Sequence, residues 1–473
     1  MGMIQFLVER PDLLASCVES KHIDFLMYDG RIAAAEIEHS DDRLFCHRRI
    51  AESGQMRLLW PRFDGMHSVI HSTTLREQEE PYQLEIELAR GQLSRLRNQY
   101  SIWHGSGLQS SEKLEDLIRE AHRAFRSAAL RAEFPEISAA AAVLSIELSA
   151  QACDLLCEHY VSQRIEFRRQ RTSRIPVFLG AGLSSPPVNE GRFLSIFNAV
   201  QIQTQWEDLE PEDGDYQWDQ IDRLVDWAQE NSLRMLGGPL LDISSPRLPG
   251  WMNSWTESLK NLCSFAADYV ETVISRYVGR IRHWEVVAGG NRGGLGSFTE
   301  EQRLNLLSSV IAAARGVDEQ TQVSLRVVQP WGEYLSESAN RLSPIQFYDT
   351  LRRCGVRFDE LNLDLRIQQG DLKALRRDPL SLSQLIDMWS GFQLPINVII
   401  SPPAVTETQT EIHNAQWLRD AVTMCLSKER VTGIWVSGWE GASRDATGGL
   451  FREDGNSCEG LEALDMISQV YLK

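Results

Sequence analysis

Two short segments set a carboxylate among aromatic and glycine residues directly after stretches that read as strands. Glu440 lies in Trp435-Val436-Ser437-Gly438-Trp439-Glu440-Gly441, where the flanking glycines let backbone approach a ligand closely. Glu333 lies in Gln329-Pro330-Trp331-Gly332-Glu333-Tyr334, a turn rich in groups that bind sugars. Both are candidate catalytic acids, Glu440 first and Glu333 second. Trp206, Trp331 and Trp439 offer aromatic faces of the kind that stack on the C–H faces of pyranose rings. Gln203, Gln205 and Gln369 supply neutral hydrogen-bonding partners for hydroxyls. The plainer reading of each acid is a loop carboxylate that caps a helix or pairs with an arginine, and of each tryptophan, core packing.

The elements that must position these groups can be read from the hydrophobic pattern. Beyond Ile175 the chain alternates candidate strands at 175–183, 196–203, 233–241, 281–288, 321–328, 358–367, 395–401 and 431–438 with periodic helices such as 217–231, 257–279, 300–315, 344–354, 380–391, 412–427 and 459–470. Eight β/α units over about 300 residues predict an α/β fold, a closed (β/α)8 TIM barrel, because parallel strands need both faces covered and the crossovers have helical length. In such a barrel chemistry sits on the loops after the C-terminal ends of the strands. Upstream, residues 1–76 mix short apolar alternations with turn signals and predict a small β-rich domain. Residues 77–173 change to helical spacing and predict a helical connector of two or three long helices, which leaves 174–473 for the barrel.

Composition narrows the function classes. A formal charge of −18 repels phosphate backbones and anionic lipid, so neither nucleic acid nor membrane is an expected partner, and the basic run Arg164 to Arg174 reads as a solvated face. The start of the chain lacks the basic and apolar regions of a secretion signal. Its eight cysteines are scattered, with Cys153 and Cys157 the one close pair and no histidines in a metal-site pattern. No metal and no cofactor are expected, and the thiols read as reduced and cytoplasmic. The glycine-rich run from Ala288 to Gly296 follows a strand but lacks the Gly-Lys-Ser/Thr ending of a phosphate loop, so it reads as an ordinary loop.

Several motifs are specific enough to carry a family resemblance. Trp206-Glu207-Asp208-Leu209-Glu210-Pro211-Glu212-Asp213-Gly214, Leu248-Pro249-Gly250-Trp251, Tyr277-Val278-Gly279-Arg280-Ile281 and Trp284-Glu285-Val286-Val287-Ala288-Gly289 together resemble the signatures of family 10 glycoside hydrolases, the xylanases. The resemblance covers roughly Ile175 to Lys473, and it implies a barrel acting on carbohydrate. In that family the last motif ends Asn-Glu, and its Glu is the general acid/base; here Ala288 and Gly289 stand in those places. The nucleophile belongs on strand seven, where Leu394-Pro395-Ile396-Asn397-Val398-Ile399-Ile400-Ser401 places Ile400 or Ser401. A retaining mechanism needs two carboxyl groups about 5–5.5 Å apart, and both assigned groups are missing. The resemblance further places Gln203, Gln205 and Trp206 in the sugar-lining segment. It sets Asp242 near a third-strand tryptophan position, keeps the family glutamine as Gln369, and replaces a histidine by Asp371. The expected function is oligosaccharide or polysaccharide binding at the C-terminal mouth without xylanase chemistry. The alternative is an active glycosidase or related carbohydrate enzyme that uses Glu440 and Glu333.

Overall fold

The structure, a computed structural model, describes residues 2–14, 23–40, 42–63, 67–244, 247–252, 255, 258–336, 338–366, 376–401, 411–439, 450 and 457–473. The chain forms two compact units, one of Met1–Arg171 with Leu335–Arg341 and Leu375–Gln384, the other of Thr172–Tyr334 with Leu342–Ala374 and Leu385–Lys473.

In the first unit seven strands, β1 (Gly2–Leu7), β2 (Ile23–Met27), β3 (Ile32–Ser40), β4 (Arg43–Arg48), β5 (Gly54–Pro61), β6 (His67–Leu75) and β7 (Tyr82–Gln83), form one sheet in the order β6-β5-β2-β3-β4-β1-β7. Alternation decides which face is buried: Ile4 and Phe6 of β1 and Ile23, Phe25 and Met27 of β2 all enter the core. That core is shared with α1 (Leu84–Gly105), α2 (Glu112–Leu130) and α3 (Pro135–Arg171). Ser111 caps α2 by accepting from the Leu114 amide. On α3, Ser138 and Ser145 donate to the Ala128 and Ala121 carbonyls of α2, each at 2.9 Å, so small residues set the close approach of the two helices. By length and composition α3 could cross a membrane, in contrast to the reading of the sequence, but its most apolar 18-residue window is 61% buried, as in the core helix of a soluble protein. The segment 375–384 is tied into this unit because Arg95 of α1 donates to both oxygens of Asp378, at 2.6 and 2.7 Å, and to the Ser381 hydroxyl at 2.8 Å. Burial opposes the Asp378 anion, but the Arg95 charge and the hydrogen bonds from Arg95 and Ser381 together outweigh it and hold this carboxyl well below the usual carboxylate range.

The second unit is the barrel. Its strands are β8 (Phe178–Leu183), β9 (Ala199–Ile202), β10 (Arg234–Gly237), β11 (Leu241–Asp242), β12 (His283–Ala288), β13 (Gln322–Val328), β14 (Glu360–Asp364), β15 (Ile396–Ile400) and β16 (Val431–Val436). All pair in parallel, β16 pairs with β8, and β10 pairs with β12, which closes the ring. Strands β10 and β11 are two halves of the third barrel strand, interrupted at Gly238-Pro239, where proline offers no amide to the ladder. The expected (β/α)8 TIM barrel is therefore the observed one. Its crossover helices start where the sequence signals a start. Thr299 and Gln302 form a reciprocal capping box before Glu300–Val317, and Ser343 and Gln346 do the same before Pro344–Arg353.

The barrel interior carries a polar network. Asn362 of β14 donates to Glu285 of β12 and, at 3.1 Å, to the Ser324 hydroxyl of β13. Side chains on β12 and β14 have β13 between them, so they meet only inside the ring. Below this point Asn397 bridges Asn362 and Glu360 at 2.8 and 3.0 Å, and Glu360 pairs with His283, which also contacts Arg234. Glu285 thus makes barrel-interior contacts.

Candidate functional site

At the strands' C-terminal ends the charged column opens toward the mouth. Arg326 of β13 contacts Glu285 at 2.6 Å and Asp364 of β14 at 3.8 Å. Arg366, two residues past Asp364, grips that carboxylate through Nε at 2.9 Å to each oxygen and through Nη2 at 2.7 Å. Burial disfavours the Asp364 anion, yet the charge and hydrogen bonds of Arg366 together with the Arg326 charge outweigh it and hold this carboxyl below its ordinary value. Arg366 is raised in turn by Asp364 and also by Asp242 and Glu285. For Glu285 the balance is reversed: it is fully buried, and burial raises its carboxyl despite Arg326.

The position assigned to the family acid/base has a different backbone from one that would carry a side chain. Gly289 sits at φ +72°, and a Cβ built there would lie 2.3 Å from Ser244 Cβ and 2.6 Å from Ser244 Oγ. Ser244 donates to Asp242 from its amide at 2.9 Å and its hydroxyl at 2.7 Å. Asp242 pairs in register with Ala288, and Ala288 with Arg326, so these three residues occupy one rung of the ladder. The Ser244 side chain occupies the space that a residue 289 side chain would need, and it bonds to the carboxylate of the neighbouring strand. Replacing Gly289 by alanine is expected to cost about 1–3 kcal/mol in urea denaturation, from left-handed backbone strain plus the contact with Ser244; a change below about 0.5 kcal/mol would mean that the loop relaxes freely. At the other assigned position Ile400 ends β15 fully buried and Ser401 is 1% exposed. Neither supplies a carboxylate.

The remaining candidates divide. Gln203 lies against Gly182, where a Cβ would meet its Nε2 at 2.6 Å, and Gln205 accepts from Arg247 at 2.9 Å; both are half-buried beyond β9. Trp206 is 2% exposed, stacks on Tyr269 with centroids 4.5 Å apart and donates to Glu210 at 2.7 Å. Trp439 packs edge-on against Phe193 and Phe197 at 5.1 and 5.6 Å. Trp331 is half-buried past β13, and Glu333 is buried in a short turn of helix, Glu333–Ser336. Glu440, Gln369 and Asp371 lie outside the described residues. Among the described residues no group of three or more metal-ligating side chains occurs.

Arg326, Asp364 and Arg366 are not among the residues expected from the sequence. Their signal was present in Ser324-Leu325-Arg326 and in Glu360-Leu361-Asn362-Leu363-Asp364-Leu365-Arg366, where polar residues at every second position mark one face of each strand. In a closed parallel barrel that face can only be the interior.

With the barrel and its strand ends defined, comparison with known proteins shows what the chain is similar to. The family model described as Glycosyl hydrolase family 10 matches residues 190–292, which include β9 to β12. The chain is 36% identical over 83 residues to "Endo-1,4-beta-xylanase 3" of Hypocrea jecorina, covering 18% of this chain and 23% of that protein. It is 21% identical over 264 residues to "Endo-1,4-beta-xylanase" of Agaricus bisporus, covering 54% and 74%. The matches to the first curated relatives thus span about a quarter of those relatives' length. The native xylanase 10B of Thermotoga maritima aligns with a TM-score of 0.49 and 18% identity over 64% of this chain and 97% of that one. Another of the solved structures, a xylanase 10B of Thermotoga petrophila, is in complex with xylobiose. The chain is thus similar to glycosyl hydrolase family 10 over residues 190–292.

Proposed function

We propose that the barrel binds a neutral oligosaccharide or polysaccharide at its C-terminal mouth and does not hydrolyse it by the family's two-carboxylate route. The observation that carries this reading is the Gly289 site, where left-handed backbone and the Ser244 side chain occupy the space that the acid/base would need. Retaining hydrolysis requires one carboxyl to protonate the leaving oxygen and a second to attack the anomeric carbon. Ile400 and Ser401 offer no such nucleophile on strand seven. The names of the relatives, endo-1,4-beta-xylanases, support a β-linked sugar as ligand. The half-buried Trp331 and the amides Gln203 and Gln205 supply the aromatic and neutral polar groups that such a ligand uses.

The test combines chemistry with binding. Incubation of the full chain with an activated 2-fluoroxyloside is expected to leave its mass unchanged, whereas a covalent adduct would overturn the non-hydrolytic reading. Calorimetry with xylohexaose, cellohexaose and mannohexaose is expected to show binding to at least one of them. Trp331→Ala should weaken that binding by about 1–3 kcal/mol, the size of losing a buried aromatic contact. Absence of binding to all three would defeat the saccharide reading.

A second reading, an active carbohydrate enzyme using Glu333 with Glu440, draws support from the place of Glu333 in the turn just past β13, at the C-terminal end of the barrel. Turnover of any of the three oligosaccharides that is abolished in Glu333→Gln would favour it.

A further inference from the structure

Each of the two family carboxylate positions has an acidic residue on the strand next to it. Asp242 ends β11 beside Ala288 and Gly289, and Asp364 ends β14 paired in register with Ile399, one residue before Ile400. Asp242, Ala288 and Arg326 share a rung, and residues paired across a parallel ladder project to the same face. Asp242 therefore projects inward, as Arg326 does. On β14 that rung continues to Asn362, and Arg366 lies four residues further along, past the strand's end, its plane fixed by three contacts to Asp364 and a quarter of its side chain exposed.

We infer that Arg366 and Asp242 are the polar groups that orient the bound sugar by engaging neighbouring ring hydroxyls, with Asp364 and Arg326 as the positioning residues that hold the guanidinium. This assignment rests on the saccharide reading above and adds which groups set its specificity. A guanidinium N–H donates to a hydroxyl oxygen while a carboxylate accepts from the hydroxyl beside it. Both bonds are charge-assisted and roughly twice as strong as neutral ones. Asp364, held ionised by Arg366, accepts hydrogen bonds and has no proton to give, and Asp242 already accepts two hydrogen bonds from Ser244. The same geometry therefore suits recognition better than general-acid catalysis. Ligands with free neighbouring hydroxyls should be preferred over O-methylated ones, and neutral sugars over uronates, because Asp242, Glu285 and Asp364 outnumber Arg326 and Arg366 in this cluster.

The experiment is calorimetry on the full chain with xylohexaose, cellohexaose and mannohexaose, and with the O-methylated form of whichever binds best. Arg366→Gln is expected to weaken the best ligand at least tenfold and to bind its O-methylated form with the same affinity as the parent, removing the discrimination that the unaltered chain shows. Arg366→Lys should fall between. Asp242→Asn keeps the acceptor for Ser244, so it is the variant whose fold is least disturbed, and it should lose affinity several-fold. If the unaltered chain binds and both Arg366→Gln and Asp242→Asn bind equally well, the assignment is wrong while the saccharide reading stands. If the unaltered chain binds none of the three, both are wrong.

Discussion

Arg326→Met is expected to destabilise the barrel by about 3–5 kcal/mol, because it leaves the buried Glu285 charge without its cation. The methionine keeps the length of the arginine stem, so the loss is electrostatic rather than a cavity. Glu285 is fully buried, its contact to Arg326 is 2.6 Å, and its remaining partner is the neutral Asn362. Asp364 keeps Arg366 and suffers less. The pH dependence follows from the raised carboxyl of Glu285. A carboxyl whose folded value lies above its unfolded one binds more protons in the native state, so stability falls as pH rises from about 4.5 through the raised value. Removing Arg326 pushes Glu285 further up, which extends that window and steepens the fall. Urea denaturation at pH 5 and pH 8 should show the larger deficit at pH 8. Glu285→Leu combined with Arg326→Met should recover much of the loss, since a buried pair replaced whole by apolar residues is close to neutral. A deficit under about 1 kcal/mol for Arg326→Met, equal at both pH values, would mean that water reaches Glu285 and that the column is not a sealed interior.

How much of this was legible in the sequence depended on which face of a strand the reading addressed. The barrel strands were readable because parallel strands are buried on both faces, so Val323-Ser324-Leu325 or Val398-Ile399-Ile400 stand out as short apolar runs between turn signals. The expected strand at 233–241 proved to be two, β10 and β11, since Pro239 cannot donate to the ladder. The helix expected over 459–470 ends as an α-helix at Ile467 and continues as a π turn, Ser468–Leu472. The site was less legible. Attention to loops after strands singled out Asp242 and Trp331 and passed over Arg326, Asp364 and Arg366, which lie on or just beyond strands and read there as interruptions of an apolar run; whether any of them meets a ligand is a matter for the experiments above. Their pairing crosses from β12 through β13 to β14, and no local pattern encodes which inward charge meets which. Gly289 shows the same limit: its replacement is visible in the sequence, whereas its left-handed conformation and the Ser244 side chain against it come only from the fold.

Trp439 separates packing from binding more sharply than any other residue at the mouth. Its place after β16 and beside Gly438 suits a sugar platform, and on that role Trp439→Ala would weaken ligand binding while leaving the melting temperature in place. Its surroundings lead to a different expectation. The indole is 6% exposed and meets Phe193 and Phe197 edge-on, with interplanar angles of 89° and 85°, the geometry in which an aromatic edge sits on another ring's face. Phe193 is carried by the short helix Glu190–Ile196 and also touches Trp227, so the cluster ties strand eight to the first two β/α units at the seam where β16 closes onto β8. Truncation there opens a large cavity among rigid rings that cannot collapse into it. Trp439→Ala should accordingly cost about 3–5 kcal/mol, and Trp439→Phe, which keeps one ring in contact, clearly less. Thermal denaturation of both variants checks this directly. A melting temperature unchanged in Trp439→Ala, together with weakened oligosaccharide binding, would return Trp439 to the mouth as a contact residue; a large drop with the ligand affinity of the folded fraction intact assigns it to the seam, and leaves Trp331 as the aromatic face the sugar meets.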